Sequence, residues 1–173
     1  MRIGLVSDTH GLFEPKLEEV FAGCDAILHA GDVVKVAVLE ALGRIAPVTA
    51  VRGNNDDELA FAHLPVTALV PVGALTALVV HDLGARERPL PPARSILAHR
   101  RPEIVVHGHS HRAGAAVVDG TLFVNPGSAG PRRFSLPRTA AVLASRGRRV
   151  EVAFFDLSGA RPRPLGEPVE AML

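Results

Sequence analysis

Short apolar, β-branched runs bounded by glycine, proline, asparagine or aspartate recur along the chain, and each reads as a strand. They lie at residues 2–7, 25–29, 47–51, 66–70, 74–80, 104–106, 115–118, 121–124, 139–144 and 149–155. Between the early runs the apolar period changes from two to near 3.6. Leu17, Val20 and Phe21 form one helical stripe, Val36, Leu39, Glu40 and Leu42 a second, and residues 92–99 a third helix. Asp119-Gly120 and Arg146-Gly147 read as turns between paired runs. Strand and helix therefore alternate early, while paired strands dominate later, a pattern that stacks two sheets face to face with helices outside. From Ser158 the chain turns rich in Pro, Gly and Arg and is expected to run extended over the surface or to fray. One domain over residues 1–157 and a tail over residues 158–173 account for the 173 residues, with no repeat and no second core.

Composition narrows the class. A hydrophobic content of 47% with 21% charged residues excludes a disordered chain. The single cysteine, Cys24, forbids an intrachain disulfide, suits a reducing cytoplasm and is expected to be a small buried apolar group. Asp8 follows too soon after Met1 for a signal peptide, and residues 64–80, broken by Pro71 and Gly73, are too short to span a membrane. The expected location is therefore cytoplasmic, with no membrane partner. Net charge is +1, but residues 1–85 carry 11 acidic and 5 basic side chains and residues 86–173 carry 7 acidic and 14 basic, giving −6 and +7. An acidic half suits cations and a basic half an anionic ligand, although most of the arginines are expected to be solvated surface. With no Trp or Tyr there is no platform for base stacking, and nucleic acid is not the expected partner.

The chemistry gathers at strand ends. Residues 104–106 run into His107-Gly108-His109-Ser110-His111, where alternation puts His109 and His111 on one side of the backbone. Asp8 and His10 share the same two-residue spacing after the first strand, although Asp8-Thr9 also fits a helix cap. Asp32 follows Gly31 after the second strand, Asn54 and Asn55 follow Gly53 after the third, and His81 ends residues 74–80. The candidate ligands are thus Asp8, His10, Asp32, Asn54, His81, His109 and His111. Seven are too many for one open catalytic ion and suit two. His63 and His99 lie outside every motif and are expected at the surface.

Asp-Thr-His, Gly-Asp, Gly-Asn-x-Asp, a lone His after a strand and Gly-His-Ser-His, in that order over residues 1–155, resemble the calcineurin-like metallophosphoesterase superfamily. His29 and the Asn125-Pro126-Gly127-Ser128 turn make the chain most similar to its small YfcE-type phosphodiesterases of bacteria and archaea. The resemblance implies an α/β fold, a four-layer αββα sandwich of two mixed β-sheets flanked by helices. It implies that Asp8, His10 and His111 hold one divalent metal, that Asn54, His81 and His109 hold another, and that Asp32 bridges them. Manganese is expected, with Ni, Co, Fe or Zn as alternatives, and Asn54, His109 and His10 are expected to act in catalysis. The implied activity is a metal-dependent phosphodiesterase in which water activated between two metals attacks a small phosphate ester. Alternatives are a non-catalytic scaffold of the same fold, like the retromer subunit, and a phosphomonoesterase. Two departures stand out: Asn55 where many members have a histidine that assists the leaving group, and Asp82 where glycine is frequent. Asn55 cannot donate a proton as an acid, so acidic leaving groups should be favoured unless His29, His107 or solvent substitutes. Asp82 is expected to orient a histidine, to tune the second metal or to cap the next loop. Arg52 is expected to meet substrate phosphate or to form an ordinary salt bridge, and the hairpin edges of residues 115–155 are candidate contacts for a homo-oligomer.

Overall fold

The computed structural model describes residues 1–57, 59–133 and 135–173. In chain order the strands are β1 (Arg2–Val6), β2 (Ala26–His29), β3 (Val48–Ala50), β4 (Thr67–Val72), β5 (Leu75–Val80), β6 (Gly84–Ala85), β7 (Arg88–Pro89), β8 (Ile104–His107), β9 (Gly114–Val118), β10 (Thr121–Asn125), β11 (Thr139–Arg146), β12 (Arg149–Asp156), β13 (Arg163–Pro164) and β14 (Val169–Met172). The helices are α1 (Leu17–Val20), α2 (Val36–Gly43) and α3 (Pro91–Arg100). One sheet has the order β13-β12-β11-β1-β2-β3, with β14 also on β12, and the other runs β4-β5-β8-β10-β9. Both are mixed: β1, β2 and β3 are parallel, as are β5, β8 and β10, and antiparallel strands complete each sheet.

Alternation along the strands builds the layers. Ile3 and Leu5 of β1 face Ala77, Val79, Ile104 and Val106 across the inter-sheet core, all fully buried. Val6 and Ile27 point the other way, under Leu17, Phe21, Val38 and Leu42. On the far side Leu78, Val80 and Val105 pack beneath Ala93 of α3. The result is the expected four-layer αββα sandwich. Gly4 is needed here, because a Cβ would lie 2.8 Å from the Phe21 ring.

Several local expectations change. The first helix is a single turn with no side-chain cap, and Thr9 instead bonds His29, as described below. The second helix buries Val38, Ala41 and Leu42, whose i, i+3, i+4 spacing sets its inner face, and leaves Val36 and Glu40 off that face and exposed. Cys24 is half-buried rather than enclosed, and burial pushes its thiol pKa up. The segment after Ser158 is extended but not frayed: β13 and β14 bond to β12, and Leu173 joins the inter-sheet core. His63 and His99 are exposed, as expected. Among the described residues no helix is long and apolar enough to cross a membrane.

Candidate metal centre

The parallel strands β1, β2 and β3 and the strands β5 and β8 end at one edge of the sandwich, and each delivers a polar loop there. The loops are held in an unusual backbone state. Asp8, His10, Asp32, His109 and His111 have φ of 54°, 47°, 58°, 67° and 58°, the left-handed region that non-glycine residues seldom adopt. Strain concentrated on these residues is typical of a functional site.

All seven predicted residues meet at this edge. His111 Nε2 lies 3.2 Å from Asp8 Oδ1 and 3.4 Å from His10 Nε2. Asn54 Oδ1 lies 2.9 Å from His81 Nε2 and 3.0 Å from His109 Nδ1. Between the two groups stands Asp32, with Oδ2 3.8 Å from His10 Nε2 and Oδ1 3.4 Å from His81 Nε2. Donor atoms of Asp8, His10 and His111, and separately of Asp8, Asp32 and His81, all fall within 4.8 Å of one another.

These groups fit a cation. Asp8 is fully buried, yet its Oδ1 makes no hydrogen bond among the described residues, the close His111 notwithstanding. A buried, unpartnered carboxylate oxygen is costly unless positive charge reaches it. His81 donates Nδ1–H to the Ala30 carbonyl at 2.8 Å, so in the neutral ring Nε2 is a bare acceptor facing another acceptor, Asn54 Oδ1. Converging lone pairs of this kind repel unless a cation lies among them. Burial tends to raise the Asp8 pKa, but contacts with His111 and the Ser7 hydroxyl outweigh it and hold it below the ordinary range. Burial and then the Arg133 charge lower the His10 pKa, against the attraction of Asp32 and Asp8.

Residues outside the ligand set hold it in place. Asp56, not singled out beforehand, is buried and accepts N–H bonds from Asp32 at 3.1 Å, Val34 at 2.7 Å and Gly53 at 2.7 Å, tying the second loop to the third. Its place in Gly-Asn-x-Asp was the available signal. His29 is wholly buried, accepts Gly31 N–H at Nδ1 (3.2 Å) and meets the Thr9 hydroxyl at Nε2 (3.0 Å). Burial pushes its pKa down to about 4, so it is a neutral tie between loops and not the substitute acid. Burial also pushes His107 down to about 4. Asn125 donates to the Gly108 carbonyl (2.8 Å) and Ser110 Oγ (3.0 Å), and Ser128 Oγ donates to the Asp8 carbonyl (2.9 Å). Asp82 caps the next loop, its Oδ1 accepting Gly84 N–H at 2.9 Å, while Oδ2 lies 3.8 Å from His109 Nε2.

Residues 1–148 match the calcineurin-like phosphoesterase superfamily domain. The chain belongs to that superfamily. It is 30% identical over 139 residues to a protein of Methanocaldococcus jannaschii named "Probable metallophosphoesterase", covering 74% of this chain and 68% of that one. It is 29% identical over 170 residues to "Probable metallophosphoesterase YsnB" of Bacillus subtilis, covering 92% and 93%. Among solved structures, a single mutant of Vps29 from Entamoeba histolytica superposes with a TM-score of 0.81 at 18% identity, covering 99% of each chain. A conserved uncharacterised protein of Streptococcus pneumoniae, described as a predicted phosphoesterase, gives 0.75 at 22% identity, covering 98% and 96%, and an archaeal phosphodiesterase 0.68 at 22%, covering 88% and 98%. At those identities the superpositions speak for the fold. Membership makes the chain a metallophosphoesterase by family, one whose candidate metal-binding residues lie together.

Proposed function

We propose that this chain is a metal-dependent phosphodiesterase whose seven ligands hold two divalent ions, most simply manganese. Asp8, His10 and His111 would hold one, Asn54, His81 and His109 the other, and Asp32 would bridge them. The observation that carries this reading is the stance of Asp32, whose two carboxylate oxygens face His10 on one side and His81 on the other. A shared anion suits two like charges about 3.5–4 Å apart. When bound, such ions supply Lewis acidity toward phosphoryl oxygens and a nucleophile at neutral pH.

The chain's own residues do the positioning. Asn54 contributes a neutral oxygen, leaving the centre positive enough to draw a phosphate. His109, with its side chain 48% exposed, faces outward where substrate arrives, while Asp32 and His81 stay buried. No residue identified above offers a ready proton to the leaving group: Asn55 is engaged with Asp32, and His29 and His107 are neutral at pH 7. This supports acidic leaving groups and, with them, diesters of aryl type over phosphoproteins.

The test combines elemental analysis of protein purified without chelator with turnover of bis(p-nitrophenyl) phosphate and p-nitrophenyl phosphate in Mn, Ni or Co. Two metal equivalents and faster diester turnover are expected. Bound metal with no turnover of either ester would instead favour a scaffold, and faster monoester turnover a phosphomonoesterase.

A further inference from the structure

Two clefts open on either side of Asp82, which lines both. The larger, about 580 Å³, runs between the β6–β7 hairpin, with Arg86 and Glu87 at its tip, and His107, His109 and Ser110. The smaller, about 360 Å³, is walled by Val66, Leu90 and Pro92, with Arg52, Asn54 and His81 at its polar side. Both volumes lie within the roughly 300–1,000 Å³ of small-molecule sites. They meet at the ligand cluster, because Asn54 of the smaller cleft and His109 of the larger are 3.0 Å apart. Neither Arg52 nor Arg86 enters an ion pair among the described residues.

The lining chemistries differ. Away from the ligand cluster, Val66, Leu90 and Pro92 give the smaller cleft an apolar wall that suits a flat ring, whereas Arg86, Glu87 and Ser110 give the larger, beside Leu83 and Ala85, charges and a hydroxyl for a polar group. A monoester has one organic arm and fills one cleft. A diester has two. We propose that the substrate is an unsymmetrical phosphodiester, its phosphate at the ligand cluster, a flat apolar arm in the smaller cleft and a polar, hydroxyl-bearing arm in the larger. This rests on the phosphodiesterase reading above.

Val66 lines the smaller cleft and Ala85 the larger, both are exposed and neither is a proposed ligand, so Val66→Trp and Ala85→Trp narrow one cleft each. Three probes are read on the manganese-loaded protein: the p-nitrophenyl ester of thymidine 5′-phosphate, p-nitrophenyl phosphate, and calorimetric binding of phenylphosphonate, which cannot be hydrolysed. Ala85→Trp is expected to lower kcat/KM on the diester by about tenfold or more and to spare the monoester and phenylphosphonate. Val66→Trp should weaken all three by a similar factor. Unchanged diester kinetics in Ala85→Trp, or unchanged phenylphosphonate binding in Val66→Trp, overturns the two-cleft assignment. If wild type binds phenylphosphonate but hydrolyses neither ester with any metal, the hydrolytic reading fails and the substrate assignment with it, while Val66→Trp still reports whether the apolar slot holds the ring.

Discussion

Asn55 holds the Asp32 carboxylate at both oxygens, its backbone N–H 2.8 Å from Oδ1 and its side-chain Nδ2 2.6 Å from Oδ2. Asn55 thus orients the proposed bridging ligand. Replacing Asn55 with Ala keeps the backbone bond and removes the other. Turnover of bis(p-nitrophenyl) phosphate is expected to drop about 10- to 100-fold, as for other partners of metal ligands, with metal content close to wild type. Asp32→Asn should lose both turnover and most of the metal. A variant at Asp32 with full metal content and full rate would refute the bridging assignment.

The unpartnered Asp8 Oδ1 makes a thermal prediction. Stripping the protein with a chelator should lower Tm, and manganese restored to 100 times its Kd should return about 2.7 kcal/mol by mass action. Calorimetry with and without chelator measures this directly; an identical Tm in both would mean that no ion binds the folded chain.

Acid should destabilise the fold through His29. Its pKa falls from 6.5 to about 4 because the wholly buried ring cannot accept charge, so below pH 6.5 the unfolded chain takes up a proton that the folded chain refuses. Stability is complete above that pH, declines between 6.5 and about 4, and by then has lost roughly 3 kcal/mol from this group. His107, also pushed to about 4 by burial, acts in the same window. Urea melts at pH 7 and 5 check the sign, and His29→Gln should flatten the slope.

Glycine positions separate site from scaffold. A Cβ at Gly53 would overlap the Asp32 carboxylate and backbone N, whereas one at Gly43 meets nothing within 4 Å. Gly53→Ala should displace Asp32 and lower bound metal by about tenfold or more, judged by elemental analysis at unchanged circular dichroism. Gly43→Ala, near the end of α2, should leave metal content alone and stabilise by up to about 1 kcal/mol.

The strand ends were legible because β-branched runs stop abruptly at small residues: Val6 into Ser7-Asp8, Ala30-Gly31 into Asp32, Val106-His107 into Gly108. Their convergence followed from parallel order, since neighbouring parallel strands finish at the same edge. What stayed hidden depends on partners distant in sequence. β14 has no strong strand signal of its own and forms because β12 presents a free edge, with Arg149 reaching Glu170 at 2.6 Å. The His29 tie needs Thr9, twenty residues earlier, to be seen at all. The left-handed backbone at Asp8, His10 and Asp32 leaves only a faint trace in residue type: Asp and His enter that region more readily than most side chains, but nothing in the sequence marks these copies out from the others.

Strand β1 sits mid-sheet, paired through Ile3 with Ala26 on one flank and through Arg2 with Ala144 on the other. The second flank closes with a strand more than a hundred residues further along the chain, a non-local pairing that costs more loop-closure entropy than the first. The proposed metal centre would therefore be completed only once β11 has docked on β1, so retained metal should report a closed sandwich and not the β1–β3 half alone.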